Sequence, residues 1–209
     1  MAIINNPQKI EAKSFEIIDG LLKGLRFPGY QKDVVKRVIH TTTDLRYAKD
    51  LLFSEGAVMA AMKALASGAA IVVDSSMVKA GINKKISLEF KNKIICPIND
   101  KDVIRRSSRL KLTRAIVAVR KASGKMNGAL VAIGNAPTAL FELCDLVSKS
   151  AVRPALVVGV PVGFVGAKES KKKLRSLGIP YISNKSTRGG STVAAAIVNA
   201  LLILAKRCA

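Results

Sequence analysis

A chain of 209 residues with 35 Lys and Arg against 14 Asp and Glu has a formal charge of +21, and 49% of its residues are hydrophobic. A disordered basic tail lacks the apolar side chains that offset chain entropy, so this composition calls for a folded chain, and its length fits one domain over residues 1–209. At this size about 70% of the unfolded surface can be buried without staples. Cys96, Cys144 and Cys208 are odd in number and widely spaced, and they accompany a single His. That set supports neither a disulfide framework nor a zinc site, predicts no metal, and fits a reducing cytoplasm.

In chain order, the first seven residues have neither a basic start nor an unbroken apolar run, so no leader is expected. Pro7 to Gly24 places Ile10, Phe15, Ile17, Ile18, Leu21 and Leu22 at mostly helical spacing, and Gln31 to Ile39 forms a second helical stretch leading to His40. Ser54 is the expected N-cap of a helix over Glu55 to Ala66, closed by Gly68. The pattern then changes to short apolar runs without alternation: Ala70 to Val73, Ile94 to Cys96, Ala129 to Ile133, Ala155 to Val158, and Tyr181 with Ile182. Such runs suit parallel strands buried on both faces. Helical segments intervene at Asp102 to Leu112, Arg114 to Ser123, Thr138 to Ser148, Lys168 to Leu177 and Thr192 to Lys206. Alternation of this kind predicts right-handed crossovers and a three-layer α/β/α sandwich with a mostly parallel sheet. The most apolar stretch, Val193 to Ala205, is 13 residues long and contains Asn199. It is too short to span a bilayer, which takes roughly 18 to 20 residues, and reads as a buried C-terminal helix.

The positive charge admits nucleic acid, an anionic surface or a polycarboxylate as partner. Lys101 to Lys125 holds nine Lys and Arg against one Asp, interleaved with Val103, Ile104, Leu110, Ile116 and Val117 as on solvated helix faces. Lys171, Lys172 and Lys173 read as an exposed lysine-rich helix. The six Phe and three Tyr form no motif interleaved with the basic residues, so a nucleic-acid partner rests on charge alone. Most of the charge reads as surface composition away from the strand ends.

Ligands of open α/β sheets bind outside the carboxyl ends of the strands. There the sequence places Asp74 to Met77, Gly134 to Thr138, Gly159 to Gly166, and Arg188 to Thr192. Glycines in these loops let backbone approach a ligand, or serve tight turns alone. Gly159, Gly163 and Gly166 do not give GxGxxG, Gly124 and Lys125 lack the rest of a phosphate loop, and no GxSxG occurs. A nicotinamide dehydrogenase, an ATPase and a serine hydrolase are therefore disfavoured. His40 is the one side chain whose ordinary titration falls near neutrality, which makes it the first candidate for proton transfer.

Several strings together resemble the precorrin-8X methylmutase (precorrin isomerase) family over nearly the whole chain. They include Ser14 to Ile18, Arg37 to His40, Asp74 with Met77, Ala80 to Asn83, Thr113 with Arg114, Ile133 to Leu140, Gly159 to Ser170, and Gly189 to Ser191. The resemblance implies a flavodoxin-like sandwich, a homodimer, no cofactor, and an isomerase that moves a methyl group from carbon 11 to carbon 12 of a tetrapyrrole polycarboxylate in corrin biosynthesis, on a metal-free or cobalt-bearing substrate. It implies His40 as catalytic acid and base, with Ser14 and Arg37 on the substrate and Thr113, Arg114 and Asn135 as further pocket residues. Asp74 reads as a brace for its loop. Thr43, where the family has a small residue or Gly, and Ser75 with Ser76 depart from its pattern. A nucleic-acid or anionic-surface binder and an inert tetrapyrrole binder remain the rival readings.

Overall fold

The computed structural model describes residues 5–209; residues 1–4, part of the stretch read above as carrying no leader, lie outside it. The chain opens with α1 (Pro7–Leu21), whose start is set by Pro7 and by the Asn6 side chain accepting from the Lys9 N–H at 3.0 Å. Next come α2 (Gln31–Thr42), the single turn α3 (Tyr47–Asp50), strand β1 (Leu51–Phe53), α4 (Ala57–Ala66) and β2 (Ile71–Val73). Two short helices, α5 (Ser76–Gly81) and α6 (Lys84–Glu89), lead to β3 (Ile94–Ile95). Then follow α7 (Lys101–Leu110), α8 (Arg114–Ala122), β4 (Leu130–Ile133), α9 (Pro137–Ser148), β5 (Leu156–Gly159), α10 (Ala167–Arg175), β6 (Tyr181–Asn184) and α11 (Ser191–Cys208).

The six strands form one sheet in the order β1-β6-β5-β4-β2-β3. All neighbours are parallel except β1, which runs antiparallel to β6 with Leu52 opposite Ser183. Counted along the chain, the five parallel strands lie in the order 2-1-3-4-5, the flavodoxin-like arrangement. Every residue of β2, β4 and β5 is buried, as continuous apolar runs require when helices cover both faces. Ile71, Val73, Leu130, Ala132, Leu156 and Val158 pack with α2, α4 and α11 on one face. Val72, Val131, Ile133 and Val157 pack with α8, α9 and α10 on the other. The result is a three-layer α/β/α sandwich.

Several expected elements differ. Ser54 does not cap α4: its N–H donates to the Tyr181 carbonyl and its Oγ accepts from the Tyr181 N–H at 2.9 Å, so it extends the pairing of the edge strand, and Gly56 precedes the helix instead. Strand β1 and helices α3, α5 and α6 were not expected, because elements of three to six residues are too short to show a period. Helix α11 runs 18 residues with mean hydropathy 1.5, long enough by length and composition to cross a membrane. Its apolar residues are spent on α2, α4, α5 and the sheet, and Val193 to Leu202 are buried except Asn199. The lysine run of α10 is not a uniformly solvated face: Lys171 is completely buried.

Candidate active site

The site is framed by the sheet's switch point. The chain runs from β2 to its neighbour β3 on one side and then from β3 back past β2 to β4 on the other, so the loops that follow β2 and β4 head in opposite directions and leave a crevice at the carboxyl ends of these two strands. Asp74 fills the gap. Its buried carboxylate accepts backbone N–H bonds from Gly134 at 3.0 Å and from Asn135 and Ala136 at 2.8 Å each. Burial pushes the Asp74 carboxyl up, against the opposing pull of those three N–H donors. The residue thus braces its loop, as its sequence position suggested. Gly134 is confined to glycine by close approach, since a Cβ there would lie 2.7 Å from the Ala194 Cβ and 3.0 Å from the Gly190 carbonyl oxygen. Ser75 Oγ lies 3.0 Å from Ser191 Oγ, tying the β2 loop to the start of α11.

Thr113 and Asn135 both sit on this edge. The Thr113 hydroxyl caps α8 by accepting from the Ile116 N–H at 3.3 Å and lies 3.2 Å from the Thr138 hydroxyl at the start of α9. Arg114 follows as the first residue of α8 and is exposed, as is Asn135. The basic helix α7 also belongs to this edge. The segment before it is tied by the Asn99 amide donating to Ser76 Oγ at 3.0 Å, and the segment after it by Thr113 and Thr138. Its exposed Arg105, Arg106 and Arg109 therefore stand on a helix anchored to the strand ends, not away from them.

His40 occupies a second part of the surface, in the last turn of α2. The imidazole is half-buried and shares a groove of about 310 Å³ with Ser14, Ile17, Ile18, Leu21, Ile39, Thr43 and Leu45. Phe15 covers one face of the ring, with centroids 5.2 Å apart and planes inclined by 26°. Thr43 ends α2 in the left-handed region, at φ 52°, a costly conformation for a β-branched residue. Its N–H donates to the Ile39 carbonyl at 2.7 Å, which turns the chain sharply after His40.

Ser14 and His40 are thus brought together. Arg37, one turn earlier on α2, lines the adjoining groove of about 420 Å³ with Thr41, Asn83, Thr192 and Asn199. Its guanidinium donates to Glu11 of α1 at 2.5 Å and lies 4.7 Å from the Phe15 ring centroid, so a ligand carboxylate would share it with Glu11. That groove connects the end of α2 to the start of α11, whose Ser191 meets Ser75 at the switch point. Thr113, Arg114 and Asn135 make no hydrogen bond or ion pair with the Ser14, Arg37 and His40 set among the described residues. Phe15 was missed as a site residue because an aromatic at helical spacing reads as core. Among the described residues no group of three or more His, Cys, Asp or Glu is placed to hold a metal ion.

The family model CbiC, precorrin-8X methylmutase, matches residues 9–204. Cobalt-precorrin-8 methylmutase of Priestia megaterium is 45% identical over 199 residues, covering 95% of this chain and 88% of that protein. Precorrin-8X methylmutase of Pseudomonas aeruginosa is 42% identical over 95% of this chain and 96% of its own length. A crystal structure of precorrin-8X methylmutase from Thermus thermophilus superposes with a TM-score of 0.91 at 38% identity, over 96% of this chain and 97% of that one. Sheet order, strand-end loops and a near full-length match converge: the chain belongs to the precorrin-8X methylmutase family, enzymes of corrin biosynthesis that move a methyl group within one tetrapyrrole and so are isomerases.

Proposed function

We propose that this chain shifts a methyl group from carbon 11 to carbon 12 of precorrin-8X or cobalt-precorrin-8, with His40 as acid and base. The observation that carries the reading is the setting of His40. It is the only imidazole in the chain, half-buried, stacked on Phe15 and open to a groove whose other walls are Ser14, Thr43 and aliphatic side chains. An apolar groove suits the face of a macrocycle. The imidazolium donates a proton to the macrocycle, the methyl group leaves carbon 11 and bonds carbon 12, and the imidazole takes a proton back. Atoms and electrons balance without a redox partner or an organic cofactor, and any cobalt travels as part of the substrate.

Ser14 hydrogen-bonds the macrocycle or an acid side chain, Arg37 pairs a peripheral carboxylate beside Glu11, and Thr113, Arg114 and Asn135 hold further acid side chains at the strand ends. The exposed arginines of α7 attract the polyanion to that edge, and neither nucleic acid nor a membrane is a partner in this reading. The chain works as one domain in the cytoplasm and as a homodimer. Support for the dimer comes from exposed Ile17, Leu21 and Leu45 around the groove and from the tip at Phe164 and Val165, which are 98% and 88% exposed.

The test is to incubate the purified protein with metal-free and with cobalt-bearing substrate and follow the product spectrum, alongside His40→Ala. Conversion abolished by the substitution supports the acid and base role; undiminished conversion by His40→Ala overturns it. Sedimentation of the protein as a monomer at assay concentration would overturn the dimer.

A further inference from the structure

Asp44 lies between Thr43 and Leu45, two walls of the His40 groove. Its carboxylate accepts from the Arg46 backbone N–H at 2.9 Å and from the Arg46 guanidinium at 2.8 and 2.9 Å. That guanidinium holds the Asp44 carboxyl below the usual carboxylate range. The same carboxylate faces Arg188, with Nε 3.5 Å from Oδ2. Arg188 comes from the loop after β6, on the strand-end edge, 144 positions further along the chain. Its Nε is buried without a hydrogen-bond partner, which leaves Asp44 as the charge it answers, with Asp50 further off at 3.9 Å from Nη1.

The Arg188 backbone is fixed from beneath. Its carbonyl accepts from Lys171 Nζ at 2.6 Å and from the Asn184 amide at 3.0 Å, and its N–H donates to Ser186 Oγ at 3.1 Å. Ser186 is in turn held by Asp50, which accepts from its hydroxyl at 2.5 Å and from its backbone N–H at 2.9 Å. A guanidinium on a rigid backbone, aimed at the one residue that separates two walls of the groove, is placed to set the position of that turn.

We propose that Arg188 is a positioning residue for the methyl transfer: through Asp44 it fixes the Thr43–Leu45 turn, and with it the orientation of His40, relative to the strand-end loop that begins α11. The inference rests on the acid and base reading of His40. It adds a coupling between the two separated halves of the site, which the hydrogen bonds within each half do not provide. Because contributions of one clasp are shared, removing either partner does most of the damage.

Since the chain has one histidine, the imidazole ring signals in a nuclear magnetic resonance spectrum at fixed pH report His40 alone. The experiment compares wild type, Arg188→Gln, Asp44→Asn, the double variant and Arg188→Lys by those signals, by thermal melting and by turnover. The expected result is that both single variants move the His40 signals alike and the double variant moves them no further. Turnover falls by about tenfold to a hundredfold with a smaller change in KM, and Arg188→Lys restores part of it. Unmoved His40 signals in folded Arg188→Gln overturn the proposal. If that variant fails to fold, Asp44→Asn decides by the same signals. A wild type that never converts either substrate defeats the methyl-transfer reading while the His40 signals still judge the coupling, so the two failures are distinguishable.

Discussion

Phe15 and His40 stack with their ring centroids 5.2 Å apart, so a residue of the first helix covers one face of the imidazole. The same Phe15 ring carries Arg37 at 4.7 Å and Lys36 at 5.2 Å over its surface. One aromatic side chain therefore orients both the proposed proton carrier and the arginine beside it. Phe15→Leu keeps apolar volume and loses the stack. We expect a stability loss of about 1 kcal/mol in urea unfolding and a larger proportional fall in kcat than in KM. Unchanged kcat would show that the ring serves only the core.

Thr43 adopts a left-handed conformation at φ 52° immediately after the helix that bears His40. Glycine at this position relieves the clash of the branched side chain with its own backbone. Thr43→Gly is expected to raise stability by about 1 kcal/mol, the strain released less the added freedom of the unfolded chain. Denaturant midpoints check this, and a lowered midpoint would mean that the hydroxyl bond from Thr43 Oγ1 to the Thr42 carbonyl outweighs the strain.

Gly189 stands at φ 146°, and a Cβ on it would lie 2.1 Å from the Val160 carbonyl oxygen. Both the conformation and the space demand glycine, because the loop after β6 crosses directly over the end of β5. Gly189→Ala is expected to cost more than about 2 kcal/mol and to reduce activity through the shift of Arg188 and Ser191. A melting temperature equal to wild type would contradict this.

Lys171 is buried, and its amine donates to the carbonyls of Ser186 at 2.8 Å and Arg188 at 2.6 Å. Burial pushes its pKa down from 10.5 to about 8. A neutral amine still has two N–H groups, one for each carbonyl. Between about pH 8 and 10.5 the unfolded chain binds this proton more fully than the folded chain, so the contribution of Lys171 to stability rises with pH over that window. Melting temperatures of wild type and Lys171→Met across it should show wild type gaining on the variant; a wild type that loses ground to the variant as pH rises would refute the assignment.

The arginines of α7 stand on a helix anchored at the strand ends, and the proposed substrate is a polyanion. KM should rise by about tenfold as the Debye length falls from about 30 Å to about 8 Å, with little change in kcat. Reversing Arg105, Arg106 and Arg109 to Glu should raise KM at low salt and flatten the dependence. A KM indifferent to salt in the wild type would assign these charges to solubility alone.

Much of the architecture was legible because parallel strands buried on both faces must be continuous apolar runs, as at Leu130–Ile133 and Leu156–Gly159, and their alternation with helices allows few topologies. His40 and Asp74 were legible for a chemical reason: one is the sole imidazole, and the other an acid at the end of an apolar strand. From its neighbours in the chain Lys171 reads as a solvated charge, and Arg188 reads only as the start of a strand-end loop. In both cases the deciding partner is distant in sequence, the carbonyls of Ser186 and Arg188 for one and Asp44 for the other. Hydrophobic period and side-chain chemistry are local properties, so the layers, the strand-end loops and the candidate proton carrier can be read from the order of residues alone. The cover of Phe15 on His40, the hold of Glu11 on Arg37, and the reach of the β6 loop to the turn after α2 emerge only once the chain is folded. Those contacts depend on where the packing of α1, α2 and α11 brings residues together across the fold.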